Sequence, residues 1–171
     1  MKAKILTTTC LAIGIAGVLA QGQVDFSNLP TKFGDGVDRI IYDDTGAPAS
    51  AGIKLGLTVD GTAVDVGTAA ILGNGIFIGG TKNIPAANPA SVQLVVSAWD
   101  PAFGTFAEAQ TAGALHGMSE PFSYAVPATG APPADFLMSG MRSFSLVVPE
   151  PSTIALGVLG LGALLLFRRR K

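Results

Sequence analysis

An apolar run beside a cluster of cations constrains this chain more than any other feature of its sequence. The run is Ile154–Phe167 (IALGVLGLGALLLF), and it is followed directly by Arg168, Arg169, Arg170 and Lys171. A helix of this length spans about 21 Å, which is less than the thickness of a hydrocarbon core, about 30 Å. The shortfall is smaller if the helix begins at Ser152 and the arginine side chains extend towards the membrane surface. Basic clusters stay cytoplasmic. The pattern therefore predicts a transmembrane helix over residues 152–167 with a basic cytoplasmic anchor over 168–171, rather than a buried core helix.

The N-terminal segment predicts export. Lys2 and Lys4 precede the apolar stretch Leu11–Leu19, which is too short to span a bilayer. Residues 1–20 are therefore predicted to be a secretory signal peptide cleaved after Ala20, with an uncleaved anchor helix as the alternative. This prediction implies the Sec machinery and signal peptidase as partners. Cys10, the only cysteine, lies within the segment, so the mature chain would have no thiol for a disulfide or a metal site.

The segment between these ends is acidic and has the size of one domain. Residues 21–148 carry eleven acidic and five basic side chains. This balance argues against nucleic-acid binding, which requires a basic surface. Three stretches alternate with the period of two that is typical of strands, and they are Ile53–Asp60, Val92–Trp99 and Ser143–Val148.

Short strands and turn residues predict the fold class. Asp60-Gly61 and Asn74-Gly75 suit two-residue hairpin turns, which need positive φ. Weaker strands are predicted at Val24–Phe26, Arg39–Tyr42 and Phe122–Val126, and a short helix within Thr105–Ala114. We expect a mainly β protein: a small antiparallel β-sandwich or jelly-roll-like ectodomain over residues 21–146, flanked by an N-terminal signal helix and a C-terminal transmembrane helix.

The tripeptide Pro149-Glu150-Pro151 stands just before the apolar run. Each proline lacks a backbone donor and disfavours helix in the residue before it, so we expect an extended segment at the membrane surface. Together with the Gly- and Leu-rich run and the basic cluster, the tripeptide resembles the PEP-CTERM sorting tail, over residues 147–171. The resemblance implies recognition of Pro149, Glu150 and Pro151 by exosortase, a membrane enzyme similar to cysteine transpeptidases, and export to the cell surface. Tails of this kind also carry an ice-binding label in some proteins, although the tail itself does not bind ice.

A second, shorter resemblance lies within the acidic segment. The stretch Val92–Asp100 (VQLVVSAWD), with the glycines and serine that follow it, is similar to small ectodomains that precede this tail. The resemblance implies verrucomicrobial or planctomycete relatives and carries no known activity.

Few residues suggest a catalytic or metal-binding site. Loop carboxylates bind Ca²⁺, so the aspartates of the acidic stretch are weak calcium candidates, with a solvated acidic turn as the alternative: Asp35, Asp38, Asp43 and Asp44. His116 is the only histidine, which excludes a His-paired zinc site and a Ser-His-Asp triad. A glycosidase pair of Glu108 with Glu120 or Asp100 has little support from sequence alone.

Three neighbouring aromatic residues allow two interpretations. Trp99, Phe103 and Phe106 flank the Pro101–Gly104 loop, and they belong either to core packing, which we favour, or to a platform for sugar rings. No catalytic residue, cofactor or resident metal is predicted, so we expect a protein that is not an enzyme.

These features predict a secreted, membrane-tethered surface protein. Exosortase would sort it through its tail from a single-pass inner-membrane intermediate to the envelope, cell surface or extracellular matrix. Its role would be that of a structural or interaction component of the envelope or exopolysaccharide matrix, with membrane lipid and exopolysaccharide as further partners. The alternative is a carbohydrate- or calcium-binding module that carries the same tail.

Overall fold

The computed structural model describes residues 21–67, 69–86, 88, 90–128 and 130–149. The strands are β1 (Gly22–Ser27), β2 (Ile41–Tyr42), β3 (Lys54–Val59), β4 (Thr62–Val64), β5 (Ile71–Gly73), β6 (Ile76–Ile84), β7 (Ser91–Trp99), β8 (His116–Met118), β9 (Phe122–Ala125) and β10 (Phe144–Ser145). The helices are α1 (Pro30–Phe33), α2 (Phe106–Thr111) and a 3₁₀ turn at Pro133–Phe136.

The two predicted end helices lie outside the described residues. This applies to the signal peptide over 1–20 and to the transmembrane helix over 152–167. Within the described ranges, no helix is both long enough and apolar enough to cross a bilayer.

The described chain is mainly β, as predicted, and its larger sheets are antiparallel. The five-stranded sheet has the order β4-β3-β7, with β8 and β9 pairing with opposite ends of β7. The three-stranded sheet has the order β1-β6-β5, and β2 pairs with β10 in parallel.

Both predicted hairpin turns are confirmed by their backbone. Asp60 and Gly61 have φ of 47° and 80° between β3 and β4, and Asn74 and Gly75 have φ of 51° and 67° between β5 and β6. Gly75 is also required sterically, because a Cβ there would clash with the Ile41 carbonyl oxygen. This close approach joins the second hairpin to the segment before β2.

One hydrophobic core receives side chains from both larger sheets. The alternation predicted for β3 and β7 is confirmed, since Leu55, Leu57 and Val59 are buried together with alternate residues of β7. Phe26 of β1 and Phe77 of β6 join the same core with ring centroids 4.8 Å apart. A shared core is what a two-sheet sandwich requires, and the sandwich or jelly-roll arrangement itself stays a prediction.

The third alternating stretch differs from its prediction. Only Phe144 and Ser145 form a strand, although Leu146 is fully buried and Val148 is exposed. The pairing is short because β10 meets only the two residues of β2. The predicted strand Arg39–Tyr42 is shortened in the same way.

Candidate functional site

The outward face of the five-stranded sheet carries an open groove of about 860 Å³. Gly56 pairs with Ser97 and Thr58 pairs with Val95, and these half-buried residues alternate with the core residues of β3 and β7. The walls are β4 with residues 65–67, 69 and 70 on one side and residues 104–107 on the other. We call this feature the Trp99 groove.

Trp99 is half-buried in this groove and is held from three directions. Its ring lies over Gly56, where a Cβ would come within 3.1 Å of the ring and 2.8 Å of Ser97 Oγ. Its Nε1 donates a hydrogen bond to the Phe103 carbonyl oxygen at 3.3 Å. Phe106 packs edge-on against it, with centroids 6.3 Å apart. The Trp99 ring therefore packs on the sheet and also lines an open groove, and the sugar-platform interpretation stays a prediction.

The lone histidine supports this aromatic wall. His116 of β8 packs edge-on against Phe106 with centroids 5.5 Å apart, and its Nδ1 lies 2.8 Å from the Ala114 carbonyl oxygen. The imidazole is buried and lies next to Trp99 in the strand register. Its contacts are those of a packing residue.

The two charged side chains of the Trp99 groove are both engaged locally. Lys54 Nζ donates to the Phe103 carbonyl oxygen at 2.8 Å, and Asp65 accepts from the Gly67 amide at 2.8 Å. The other lining residues are apolar or glycine, apart from the hydroxyls of Thr58, Ser97 and Thr105. The groove therefore presents an apolar surface with hydroxyl groups and no unengaged charge among its described residues.

The acidic stretch uses its first carboxylate for an ion pair. Asp35 accepts two hydrogen bonds from the Arg39 guanidinium, at 2.8 and 2.7 Å, and this contact holds the pKa of the Asp35 carboxyl well below its usual range. The Arg39 side chain is almost fully buried, stacks on Phe33 at 4.0 Å and donates to the Ser139 carbonyl oxygen. Asp35 thus neutralises a buried cation.

Asp38 and Asp43 bond to their own turns. Asp38 accepts from the Ile40 amide at 2.9 Å and from the Tyr42 hydroxyl at 2.8 Å, and these bonds lower its pKa. Asp43 accepts from the Thr45 hydroxyl at 2.6 Å and from two following amides, which lowers its pKa as well.

The structure therefore does not bring the four calcium candidates together. Asp44, the last of them, is exposed. In the described ranges, no three His, Cys, Asp or Glu residues are placed to hold a metal ion.

Glu108 caps a helix. Its Oε2 accepts from the amides of Gly104 and Thr105 at 2.9 and 3.1 Å, while Thr105 Oγ1 accepts from the Glu108 amide, which forms a capping box at the start of α2. Asp100 accepts from the Ala102 amide. These contacts give both carboxylates structural roles.

The folded domain leads directly into the tail. Leu146 is fully buried, and its amide donates to the Tyr42 carbonyl oxygen at 2.8 Å. Val147 then exchanges two backbone hydrogen bonds with His116, at 3.0 and 2.8 Å. Val148 and Pro149 follow as exposed residues. Sheet pairing thus extends to within two residues of the tripeptide.

The remaining predicted site residues lie outside the described ranges. They are Ala20, Glu150, Pro151, Arg168, Arg169, Arg170 and Lys171.

The groove was not predicted from the sequence, although one residue signals it. Its signal was Gly56, which interrupts an alternating strand and often marks a place where another group approaches the backbone closely. The partner that approaches it, Trp99, became evident only from the register of β3 with β7.

The PEP-CTERM protein-sorting motif matches residues 147–171. The chain carries a PEP-CTERM sorting tail. This tail implies exosortase-dependent sorting of a cell-surface protein, with exosortase as the processing partner and export to the cell surface. No curated protein and no solved structure matches the chain. The verrucomicrobial or planctomycete relationship of the ectodomain stays a prediction.

Proposed function

We propose that residues 21–146 are a non-catalytic surface domain that serves as a structural or interaction component of the envelope or exopolysaccharide matrix. The Sec machinery would export the chain, and the tail would hold it as a single-pass inner-membrane intermediate until exosortase processes it. The observation that carries this proposal is the junction, where Val147 is still paired with His116 and Pro149 is already exposed.

The junction fits a sorting mechanism by its length. The four residues from Val148 to Pro151 reach at most about 14 Å when extended. A folded domain on so short a connection keeps the tripeptide at the membrane surface, within reach of an integral membrane enzyme. The sheet pairing at Val147 also supplies a fixed C-terminal boundary for the released domain.

The absence of catalysis is proposed because the polar groups that suggested chemistry have structural partners. Glu108 caps α2, Asp35 pairs with Arg39, and His116 packs on Phe106. These contacts support a binding or structural role.

Replacing the acidic residue of the tripeptide tests the sorting proposal. In the native host, Glu150→Ala in the full chain is expected to accumulate unprocessed in the membrane fraction, while the wild type reaches the surface. Glu120→Ala, which removes an exposed carboxylate outside the tail, is the matched control and is expected to behave as the wild type. Processed Glu150→Ala protein at the surface in wild-type amounts would contradict the proposal.

A second candidate function is that of a carbohydrate-binding module, and the Trp99 groove is the observation that favours it. The calcium alternative has less support, because Asp35, Asp38 and Asp43 are engaged locally. A ligand that binds only the folded state raises the unfolding temperature. We therefore expect purified matrix polysaccharide to raise the unfolding midpoint of the protein, and Ca²⁺ to leave it unchanged. The opposite pattern would favour the calcium module.

A further inference from the structure

We propose that the Trp99 groove binds an uncharged polysaccharide segment, with one sugar ring stacked on the Trp99 indole. The inference deepens the proposed function and rests on it, because it names the site and the ligand class through which the domain would contact the exopolysaccharide matrix.

The shape of the groove suits a polymer. Its volume of about 860 Å³ falls in the range of ligand sites, roughly 300–1,000 Å³. Its rim residues Ala63, Gly104 and Thr105 are exposed, so the groove opens along the sheet surface. A segment within a long chain can lie in such a groove without entering through its end.

The lining matches the two surfaces of a sugar ring. A pyranose has an apolar C–H face and a periphery of hydroxyls, and the negative face of an aromatic ring attracts the slightly positive C–H groups. Trp99 and Val95 supply apolar surface, while Thr58 and Ser97 place hydroxyls on the floor beside them. The Thr58 hydroxyl already donates to the Val95 carbonyl oxygen at 3.3 Å, so lipid chains and apolar peptides would leave the Ser97 hydroxyl without a new partner.

The charge balance disfavours an anionic ligand. Lys54 and Asp65 are the charged residues along the groove, and both are hydrogen-bonded to neighbouring backbone. The domain around them has eleven acidic and five basic side chains over residues 21–148. Its field repels polyanions, so uronate-rich or sulfated chains are disfavoured relative to uncharged ones.

The bilayer is the competing occupant of this face. Met118 and Val147 are each 50% exposed, and their strand partners Ser97 and His116 place them on the same side of the sheet as Trp99. A flat lipid surface does not fill a concave groove, and the Ser97 hydroxyl on its floor would lose water without a new partner. We therefore assign the groove to polysaccharide.

The chain contains one tryptophan, so its intrinsic tryptophan fluorescence reports on this groove alone. The full chain is reconstituted in phosphatidylcholine vesicles. Exopolysaccharide of the native host is separated by anion exchange into an uncharged and an anionic fraction, and each is titrated in. We expect a saturable blue shift with the uncharged fraction and at least tenfold weaker binding of the anionic fraction.

Two variants localise the binding. Gly56→Ala keeps the fluorescent Trp99 but introduces a Cβ that meets the Trp99 ring and Ser97 Oγ. We therefore expect at least tenfold weaker binding of the uncharged polysaccharide. Ser97→Ala removes one floor hydroxyl without adding volume, and a loss of a few-fold is expected even if Gly56→Ala fails to fold. Leu72→Ala, at an exposed residue of β5 that does not line the groove, is the matched control and is expected to bind as the wild type.

Three results would overturn the assignment. They are tighter binding of the anionic fraction, no spectral response to either fraction, and quenching of Trp99 by brominated lipid before any polysaccharide is added, which would place the bilayer on this face. If the groove does not bind polysaccharide but the processed protein still co-sediments with the host matrix, the proposed surface function is retained and only the assignment of the binding site is wrong. If the protein does not associate with the matrix at all, the proposed function fails as well.

Discussion

The acidic stretch over residues 35–44 and the Trp99 groove differ in how they use polar groups. In the acidic stretch, three of the four aspartates bond to Arg39, to Tyr42 or to the amides of their own turns. In the Trp99 groove, Lys54 and Asp65 are hydrogen-bonded to backbone groups, and a concave apolar surface that carries hydroxyl groups is open to solvent. The comparison teaches that folding contacts can engage a cluster of acidic residues, whereas an open apolar groove can form where an aromatic ring lies over a glycine of the neighbouring strand.

The largest expected effect is a loss of stability on replacing Asn28, a buried residue that bonds to the backbone of Arg39 in the acidic stretch. Asn28 is fully buried, donates to the carbonyl oxygens of Arg39 and Gly75 at 2.8 Å each, and accepts from the Phe77 amide at 2.7 Å. Asn28→Ala should lower the free energy of unfolding by about 3 kcal/mol, because buried groups left without partners cost about 1–3 kcal/mol each. Chemical denaturation measures the loss.

Asn83→Ala is the control for this variant. Asn83 is exposed and accepts one hydrogen bond from Gln23 at 3.3 Å, so we expect a change below about 0.5 kcal/mol. An Asn28→Ala loss as small as that of the control would show that the buried network does not hold the acidic stretch in place.

The pH dependence of stability tests whether Asp35 serves the fold. Because its pKa is lowered in the folded state, the Asp35–Arg39 pair stabilises the protein above the ordinary carboxyl pKa of about 3.9, and this contribution is lost as the pH falls below that value. Thermal unfolding midpoints between pH 6 and pH 2 should fall less steeply for Asp35→Asn than for the wild type. Asp44→Asn, at an exposed neighbour, should keep the wild-type slope; equal slopes in all three proteins would refute the structural role.

A smaller effect on stability is expected in the wall of the Trp99 groove. Thr105→Ala removes the N-cap of α2, whose first turn forms part of the groove wall, and should lower the free energy of unfolding by about 1 kcal/mol. Gln110→Ala, on the same helix and exposed, should change it by less than about 0.3 kcal/mol. Equal losses in the two variants would mean that the capping box does not stabilise this wall.

The smallest expected effect concerns the lysine of the groove. Lys54→Met keeps most of the side-chain length but removes the hydrogen bond to the Phe103 carbonyl oxygen, and should cost about 0.5–1 kcal/mol in denaturation experiments. Lys82→Met on β6 is the comparison variant, and we expect it to be neutral. If Lys54→Met is neutral too, the Phe103 carbonyl oxygen does not engage the Lys54 charge, and an uncharged ligand is less favoured.

Local chemistry made part of this fold predictable. The Asp60-Gly61 and Asn74-Gly75 turns and the short helix after Thr105 depend on neighbouring residues, and all three are present. The alternation of β3 and β7 likewise identified their buried faces. The tail was predictable for the same reason, since its motif, apolar run and basic cluster are contiguous, and the motif match confirms it.

The features that the sequence could not predict depend on contacts between residues far apart in the chain. The parallel pair of β2 with β10 joins Ile41 to Phe144, and no local pattern signals it. The groove depends on the register that places Gly56 beside Ser97 and Trp99, and the role of Asp35 depends on the burial of Arg39. Aspartate spacing alone left calcium binding and a solvated turn as open alternatives.

The central claim is that a folded surface domain is delivered by processing at the tail that follows Val147. Mass spectrometry of the protein recovered from the native host's envelope and matrix, with sequencing of its C-terminal peptide, tests it most directly. A C-terminus near Pro149–Pro151 in the surface fraction is the predicted result. Surface protein that retains Lys171 would contradict the processing step and would make the tail a permanent anchor.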